Sequence, residues 1–271
     1  MALTTDLSGR VAIVTGSATG LGASIAKRLA EAGASVVINY SRSSTEAEQT
    51  ADEIRALGAQ VHCVQANVAE DADCKKLAQT ANAYGRLDIL VNNAGITKQV
   101  PDHSNLAGLD KDDFLRLYEV NVVGPFMMVR ACEDLLRAAH SQTGIASAVL
   151  NTSSIAGVTG IGSSVAYAAS KGAFNTMTLS LARALAPAIR VNAICPGFIG
   201  TRWFKDYMGE EKYNRMEASV RESTPLNVAS GPDDIADSAM FFLTDASRHV
   251  TGETLLTDGG THLGYAPLKA R

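Results

Sequence analysis

The chain has 271 residues, 46% apolar and 19% charged, and its 24 Lys+Arg against 28 Asp+Glu give a formal net charge of −4. This composition is typical of a folded globular protein and excludes a disordered or collagen-like chain. The mild acidity argues against a nucleic-acid partner, because neutralising phosphates requires a basic face. The length suits one large domain, and no change in composition divides residues 1–271.

The sequence also gives expectations about location and metal binding. No stretch approaches the roughly 18 consecutive apolar residues of a membrane helix, and residues 1–10 lack a signal-peptide pattern. The four cysteines include no C-x-x-C pair, and the five histidines show no i,i+4 ligand spacing. We therefore expect a cytoplasmic protein with free thiols, no membrane partner and no metal.

Short apolar runs alternate with amphipathic segments along the chain. Strands are predicted at 11–14, 35–38, 61–64, 87–91, 146–152, 189–194 and 253–256. Helices are predicted at 21–32, 45–57, 71–84, 114–136 with a break at Gly124-Pro125, 167–185 and 233–243. This alternation predicts an α/β fold, a doubly wound parallel sheet with helices on both faces.

Residues 198–225 interrupt the alternation and are predicted to form a helical insertion near one end of the sheet. Aromatic and Met side chains lie there among charged residues, namely Trp203, Phe204, Tyr207, Met208, Tyr213 and Met216.

A glycine-rich turn follows the first strand. Gly16, Gly20 and Gly22 are spaced G-x-x-x-G-x-G and open the first helix. A backbone without Cβ atoms can approach a pyrophosphate closely, and free N–H groups at a helix start point at the anion. Within a strand–helix–strand unit this variant of G-x-G-x-x-G predicts a Rossmann-type dinucleotide site.

The end of the second strand is predicted to meet the adenosine ribose. A carboxylate there would favour NAD by binding the 2′-hydroxyl and repelling a 2′-phosphate, but the chain has Tyr40, Ser41 and Arg42 instead. Arg42 could pair with a 2′-phosphate and Ser41 could donate to it. We therefore predict NADP(H) over NAD(H); the alternative is that Arg42 is a solvated loop residue.

Tyr167 and Lys171 lie four residues apart on a predicted helix, so they share one face, and Ser154 follows a strand end. An ammonium about 5 Å from the phenol would favour the phenolate by roughly 3 kcal/mol, or about two pKa units. Carbonyl reduction needs a proton at the oxygen, which Tyr can give, and a serine hydroxyl can hold that oxygen. The pair alone is also compatible with a half-exposed tyrosine beside a solvated lysine.

From Gly9 to Gly260 the chain resembles the short-chain dehydrogenase/reductase (SDR) family, and its 3-oxoacyl-carrier-protein reductase-like members in particular. The matching motifs, in family order, are Thr15-Gly-x-x-x-Gly-x-Gly22, Asn92-Asn-Ala-Gly95, Asn121, Asn151-x-Ser-Ser154, Tyr167-x-x-x-Lys171, Pro196-Gly197 and Asp258-Gly-Gly260. The resemblance implies reversible NADP(H)-dependent hydride transfer between a secondary alcohol and a ketone.

The resemblance also implies roles for the catalytic residues. Tyr167 is expected to be the acid–base, Lys171 to lower its pKa and hold the nicotinamide ribose, and Ser154 to orient the substrate oxygen. Asn121 is expected to kink its helix and hold a water that relays protons to Lys171. Ser153 remains the alternative active hydroxyl.

The same motifs and resemblance assign the cofactor site. Its expected residues are Gly16, Ser17, Thr19, Gly20, Leu21, Gly22, Tyr40, Ser41, Arg42, Asn67, Val68, Asn93, Ala94, Gly95, Tyr167, Lys171, Pro196, Gly197, Ile199 and Thr201. Asn67 stands where many family members have an Asp that contacts adenine, and its amide oxygen can still accept a hydrogen bond.

The insertion at 198–225 is expected to act as a lid over the nicotinamide and to favour an apolar, cyclic or 3-oxoacyl substrate. Alternatively, its side chains pack on their own domain or on a neighbouring subunit.

An acyl carrier protein remains one possible partner, although the helix after Asn121 is not clearly basic. A homotetramer is expected from the family. Two other classes are a non-catalytic NADP(H)-binding regulator and an S-adenosylmethionine transferase, which would lack Tyr-x-x-x-Lys.

Overall fold

Seven strands of the described chain form one parallel sheet in the order β3-β2-β1-β4-β5-β6-β7. The computed structural model describes residues 6–201, 205 and 208–264. The strands are β1 Val11–Val14, β2 Ser35–Tyr40, β3 Val61–Gln65, β4 Ile89–Asn92, β5 Ser147–Thr152, β6 Ile189–Pro196 and β7 Thr254–Thr257. Because β1 pairs with both β2 and β4, the strand order reverses between β1 and β4, where a crevice opens at the carboxyl ends.

Helices cover both faces of this sheet, which confirms the predicted doubly wound α/β fold. They are α1 Gly20–Glu31, α2 Ser44–Ala56, α3 Asp71–Thr80, α4 Lys111–Tyr118, α5 Gly124–Thr143, α6 Ala156–Thr159, α7 Val165–Leu185, α8 Glu210–Ser223 and α9 Pro232–Leu243.

Successive side chains of β1 point to opposite faces of the sheet and belong to two separate hydrophobic cores. Ala12 and Val14 pack with α1, α2 and α9 on one face, whereas Val11 and Ile13 pack with α3, α5 and α7 on the other. All four side chains are at most 1% exposed. Burying both faces explains why this strand reads as a continuous apolar run.

The predicted break at Gly124-Pro125 is wrong. The helical segment runs from Lys111 to Thr143 and contains a π-helical turn at Glu119–Val123, immediately before that dipeptide. Pro125 lies in the first turn of α5, directly after the π-helical turn, where a missing backbone N–H is tolerated. The helical segment therefore continues through it. Several other ends also differ from prediction: β2 and β6 extend two residues further, and the third helix finishes as a 3₁₀ turn at Ala81–Tyr84.

The insertion at 198–225 is helical in its described part, as predicted. Tyr213 of α8 is buried and packs on Phe198, with 6.3 Å between ring centroids. The predictions for Trp203, Phe204 and Tyr207 lie outside the described residues. Tyr213 therefore anchors the insertion to the chain that leaves β6.

Candidate active site

One cavity of about 570 Å³ opens at the carboxyl ends of β4, β5 and β6. Ser154, Tyr167 and Lys171 all line it. Its wall also contains several residues expected to bind the cofactor, namely Leu21, Asn93, Gly95, Pro196, Gly197, Ile199 and Thr201. The structure therefore brings the predicted proton-transfer residues and much of the predicted cofactor site into one cleft.

Helix α7 carries Tyr167 and Lys171 and is fixed at its start. The Ser164 side chain caps the helix by accepting a hydrogen bond from the Tyr167 backbone N–H, at 3.2 Å. Further along, α6 crosses α7 so closely that a Cβ on Gly157 would lie 2.5 Å from the carbonyl carbon of Lys171. The position of α7 therefore depends on the absence of a side chain at Gly157.

Lys171 is 4% exposed, and its Nζ donates a 2.8 Å hydrogen bond to the Thr152 carbonyl. The same Nζ lies 5.8 Å from the centroid of the Tyr167 ring. Burial lowers the pKa of Lys171 to about 8. The side chain is thus still mainly cationic at neutral pH but loses its charge in mildly basic solution.

The predicted direction of the Tyr167 shift is wrong for the protein without ligand. Burial raises the pKa of the phenol above its ordinary value, and a hydrogen bond with Ser154 offsets only part of the rise. Removing a phenolate from water costs more here than the Ser154 hydrogen bond returns, and the Lys171 ammonium donates to the Thr152 carbonyl. Tyr167 is therefore a neutral phenol at pH 7.

The two adjacent serines differ in what they contact. The Ser153 hydroxyl is buried and donates to the Lys171 carbonyl at 3.3 Å. Ser154 is half-buried, and its side chain hydrogen-bonds Tyr167. The geometry favours Ser154 over Ser153 as the hydroxyl that meets a substrate.

Asn121 lies in the π-helical turn and is buried. Its amide nitrogen donates to the Ile96 carbonyl at 3.0 Å and to the Ser170 hydroxyl at 3.1 Å, while its amide oxygen accepts from the Ile96 N–H at 2.9 Å. These bonds tie the loop after β4 to α7. A wider turn places the side chain there, as π-turns commonly do at functional sites.

The glycine-rich turn fits a dinucleotide. Gly16 and Gly20 have positive φ values of 61° and 59°, which favour glycine. A Cβ added to Gly20 would lie 3.5 Å from Thr201 Cγ2, an ordinary contact, so Gly20 is required for its backbone conformation and not for want of space. The first turn of α1 holds no acidic residue, and Thr19 makes no side-chain cap, which leaves its N–H groups for an anion.

Asn39 is a residue that sequence analysis missed. Its side-chain oxygen accepts from the Gly16 N–H at 3.0 Å, and its amide nitrogen donates to the Ala66 carbonyl at 2.9 Å. It thereby joins the ends of β1, β2 and β3. A polar residue inside an otherwise apolar strand is the signal that could have revealed it.

The expected cofactor residues do not all present free groups to the cleft. The Ser17 side chain is buried, donates to the Val14 carbonyl at 2.6 Å and accepts from the Asn39 N–H, so it holds the turn. The amide of Asn93 is likewise bonded to the Thr15 and Gly16 carbonyls. Both residues therefore shape the site through the backbone they hold.

The predicted adenosine end lies beyond the turn, where β2 and β3 finish. Ser41, Arg42 and Asn67 are exposed there, Tyr40 is half-buried and Val68 is buried. The amide oxygen of Asn67 accepts from the Ala69 N–H at 3.2 Å. Beside the turn, Ala94 lies against Gly16, where a Cβ would come within 2.8 Å of its Cα.

Seven further residues of the cavity wall were absent from the sequence prediction. They come from the loop after β4, from α4 and from the end of β5, namely Ile96, Thr97, Lys98, Asp113, Arg116, Leu117 and Thr152. No sequence motif marks them, because their place in the wall depends on how distant segments pack around the cleft.

No group of three or more potential metal-ligating side chains occurs within the part of the chain that the structure describes. In that same part, no helix is long and apolar enough to cross a membrane. The cysteines there are free: Cys63 is half-buried, and Cys74, Cys132 and Cys195 are buried.

A doubly wound sheet with a glycine-rich turn, a Tyr–Lys pair and a serine in one cleft defines the class of dinucleotide-dependent oxidoreductases. The family model for enoyl-(acyl carrier protein) reductases matches residues 16–262. The chain belongs to the short-chain dehydrogenase/reductase family, and it is an NAD(P)-dependent oxidoreductase.

Individual relatives are similar to this chain over nearly its full length. A Streptomyces violaceoruber protein, provisionally named ketoacyl reductase 2 of the granaticin polyketide synthase, is 39% identical over 255 residues, 93% of this chain and 96% of that protein. A provisionally assigned short-chain dehydrogenase/reductase structure from Burkholderia xenovorans is 41% identical, covering 94% and 98% of the two chains, with a TM-score of 0.85. The Pseudomonas aeruginosa RhlG/NADP active-site complex is 30% identical, covering 97% and 100%, with a TM-score of 0.86.

Proposed function

We propose that this protein reduces ketones to secondary alcohols with NADPH, using Tyr167 as the proton donor. The observation that carries the proposal is that Ser154, Tyr167 and Lys171 line the same cavity as the segments suited to a dinucleotide. The cofactor, when bound, supplies the hydride.

The chain's own residues account for the proton. The Tyr167 phenol, whose pKa is raised by burial, is protonated at pH 7 and can give its proton to the carbonyl oxygen. The Ser154 hydroxyl, already bonded to the phenol, can hold that oxygen in place. The Lys171 ammonium stabilises the phenolate that remains, and Asn121 fixes the neighbouring loop and helix.

A panel of ketones with NADPH, followed by loss of nicotinamide absorbance, tests the proposal. It includes 3-oxoacyl thioesters, cyclic ketones and small open-chain ketones, because the granaticin relative is named for ketoacyl reduction. Turnover of at least one class supports the reductase. Absence of turnover in both directions, with ketones and with secondary alcohols, contradicts it.

Exposed apolar side chains support the homotetramer that we propose. On α4 and α5 these include Phe114, Leu115 and Phe126, which are 36%, 49% and 43% exposed, and on α7 Leu179 is 47% exposed. Size-exclusion chromatography with light scattering tests the assembly.

Replacing Arg42 by Ala is expected to raise the KM for NADPH about tenfold or more and to leave that for NADH nearly unchanged. Arg42 is exposed beside the end of β2, where a 2′-phosphate would lie, and a hydrogen bond to a charged group contributes about 1.5–3 kcal/mol. Steady-state kinetics with both cofactors measure the change. Arg55→Ala, an exposed arginine on α2, is the matched control; an unchanged preference in the Arg42 variant would remove it from the site.

The kcat/KM for reduction is expected to fall as pH rises through about 8. Burial lowers the pKa of Lys171 to that value, so the ammonium that supports Tyr167 is present below it and lost above it. A pH–rate profile from 6 to 10 at saturating cofactor measures this. A rate that stays flat to pH 10 would show that the Lys171 charge does not support catalysis.

A further inference from the structure

The wall of the cavity formed by α4 carries charged groups that proton transfer does not use. Lys98 lies in the loop after β4, and Asp113 and Arg116 lie one turn apart on α4. Together with Lys171, the described lining thus presents three cations and one carboxylate. The cavity therefore has an excess of positive charge.

Asp113 forms no ion pair with Arg116, and each of its oxygens has another partner. Its Oδ1 forms an ion pair with Lys98 Nζ at 3.0 Å, and its Oδ2 accepts from the Asp110 N–H at 3.3 Å. The Asp113 N–H in turn donates to the Asp110 side chain at 2.9 Å, which closes a capping box at the start of α4. Lys98 holds the pKa of the Asp113 carboxyl below its usual range.

The Arg116 guanidinium forms no hydrogen bond or ion pair with any residue in 6–201 or 208–264. Arg116 lowers the pKa of the Asp113 carboxyl less than Lys98 does, so its electrostatic interaction with Asp113 is the weaker one. A guanidinium offers five N–H donors in a planar fork that matches a carboxylate or a phosphate. Arg116 is exposed at the wall of the cavity, so its donors face solvent and are available to an oxyanion.

The helix that carries Arg116 is held in place. Leu117, the next residue, is 2% exposed and lines the same cavity. One turn later Asn121 is bonded to the Ile96 backbone in both directions. The capping box fixes the other end, so the Arg116 backbone is rigid while its side chain can adjust to a ligand.

We propose that Arg116 binds an oxyanion carried by the ketone substrate, a carboxylate or a phosphate placed away from the reacting carbonyl. This rests on the proposed reductase function and deepens it. The phosphates of a bound dinucleotide would have separate donors at the start of α1 and at Arg42, both on the β1–β2 side of the crevice. Arg116 lies on α4 and lines the cavity at the carboxyl ends of β4, β5 and β6.

The test compares anionic and neutral ketones of the same skeleton. We measure kcat/KM with NADPH for 4-oxopentanoate, 5-oxohexanoate and 6-oxoheptanoate, for their methyl esters, and for 4-oxopentyl phosphate. The native protein is expected to prefer the anion of at least one pair about tenfold or more. Arg116→Gln is expected to remove that preference. The ratio of anion to ester within one variant cancels any general loss of folded enzyme.

Arg130→Gln is the matched control, since Arg130 lies on α5 and pairs with Asp71 instead of lining the cavity. Its anion-to-ester ratio is expected to equal that of the native protein. Raising KCl from 50 to 500 mM is expected to weaken the preference of the native protein and not that of Arg116→Gln, as screening of a charge pair requires.

The outcomes separate the role of Arg116 from the reductase function. Equal rates for anion and ester in the native protein overturn the role of Arg116 alone. A rise in the KM for NADPH in Arg116→Gln with an unchanged anion-to-ester ratio overturns it as well, because the guanidinium then binds the cofactor. A failure to turn over any neutral or anionic ketone contradicts the reductase itself.

Discussion

Replacing Tyr167 by Phe is expected to lower kcat for NADPH-dependent ketone reduction about 10²–10⁴-fold, the usual contribution of a positioned general acid. The substitution removes the hydroxyl that bonds Ser154 and would protonate the carbonyl oxygen, while it keeps the ring that faces Lys171. Stopped or steady-state assays of nicotinamide absorbance measure the loss.

Binding of the cofactor serves as the internal control for this variant. NADPH fluorescence titration is expected to give a Kd within about threefold of the native value, because the glycine-rich turn and the chain after β6 are untouched. Tyr84→Phe, which removes a hydroxyl hydrogen-bonded to Gln60 on the surface, is the matched control and is expected to stay active. Native rates in Tyr167→Phe would reject the assigned acid and favour the NADP(H)-binding regulator.

Replacing Gly157 by Ala is expected to destabilise the protein by about 1–3 kcal/mol, as overpacking of a close contact does. The added Cβ would lie 2.5 Å from the carbonyl carbon and 2.6 Å from the carbonyl oxygen of Lys171, both of which are backbone atoms. To relieve this clash, α6 and α7 must separate, and α7 carries Tyr167. A displacement of Tyr167 by about 1 Å is expected to lower the rate roughly 10²-fold. Thermal unfolding and kcat measure the two effects.

Gly172→Ala tests the same crossing from the other helix. Its Cβ would meet the Gly157 carbonyl oxygen at 3.5 Å, an ordinary contact. Within a helix, Ala is favoured over Gly by about 0.5–1 kcal/mol, so this variant is expected to be as stable as the native protein or more so. Equal unfolding temperatures for native protein and Gly157→Ala would show that the crossing is not tight.

The order of elements follows from the sequence because local patterns suffice for it. The buried run Val11–Val14 followed by glycines predicts a strand, a turn and a helix, and all three occur. The four-residue spacing of Tyr167 and Lys171 likewise predicts one helical face, and both side chains line one cavity. Where a prediction failed, as at Gly124-Pro125, the local rule was overridden by a π-helical turn whose Asn121 bonds both the loop after β4 and helix α7.

Electrostatics at the site could not be predicted in the same way. From spacing alone, Lys171 is expected to make the Tyr167 phenol more acidic, yet burial raises its pKa. The sign depends on how much water each group loses, and that is set by the packing of α6, α7 and β5 around them. The unmatched charge of Arg116 has the same origin, since it depends on which partners Asp113 already holds.

Local patterns were enough to predict the doubly wound α/β fold, the glycine-rich turn, the shared helix face of Tyr167 and Lys171 and the place of Ser154 after a strand, because helix and strand periodicity and glycine's backbone freedom are local properties. Three features came only from the three-dimensional packing: Asn39 clamps that turn, burial raises the pKa of Tyr167, and Arg116 lines the cavity. Each of these depends on residues far apart in the chain that share one small volume, where burial and competing hydrogen bonds fix the outcome.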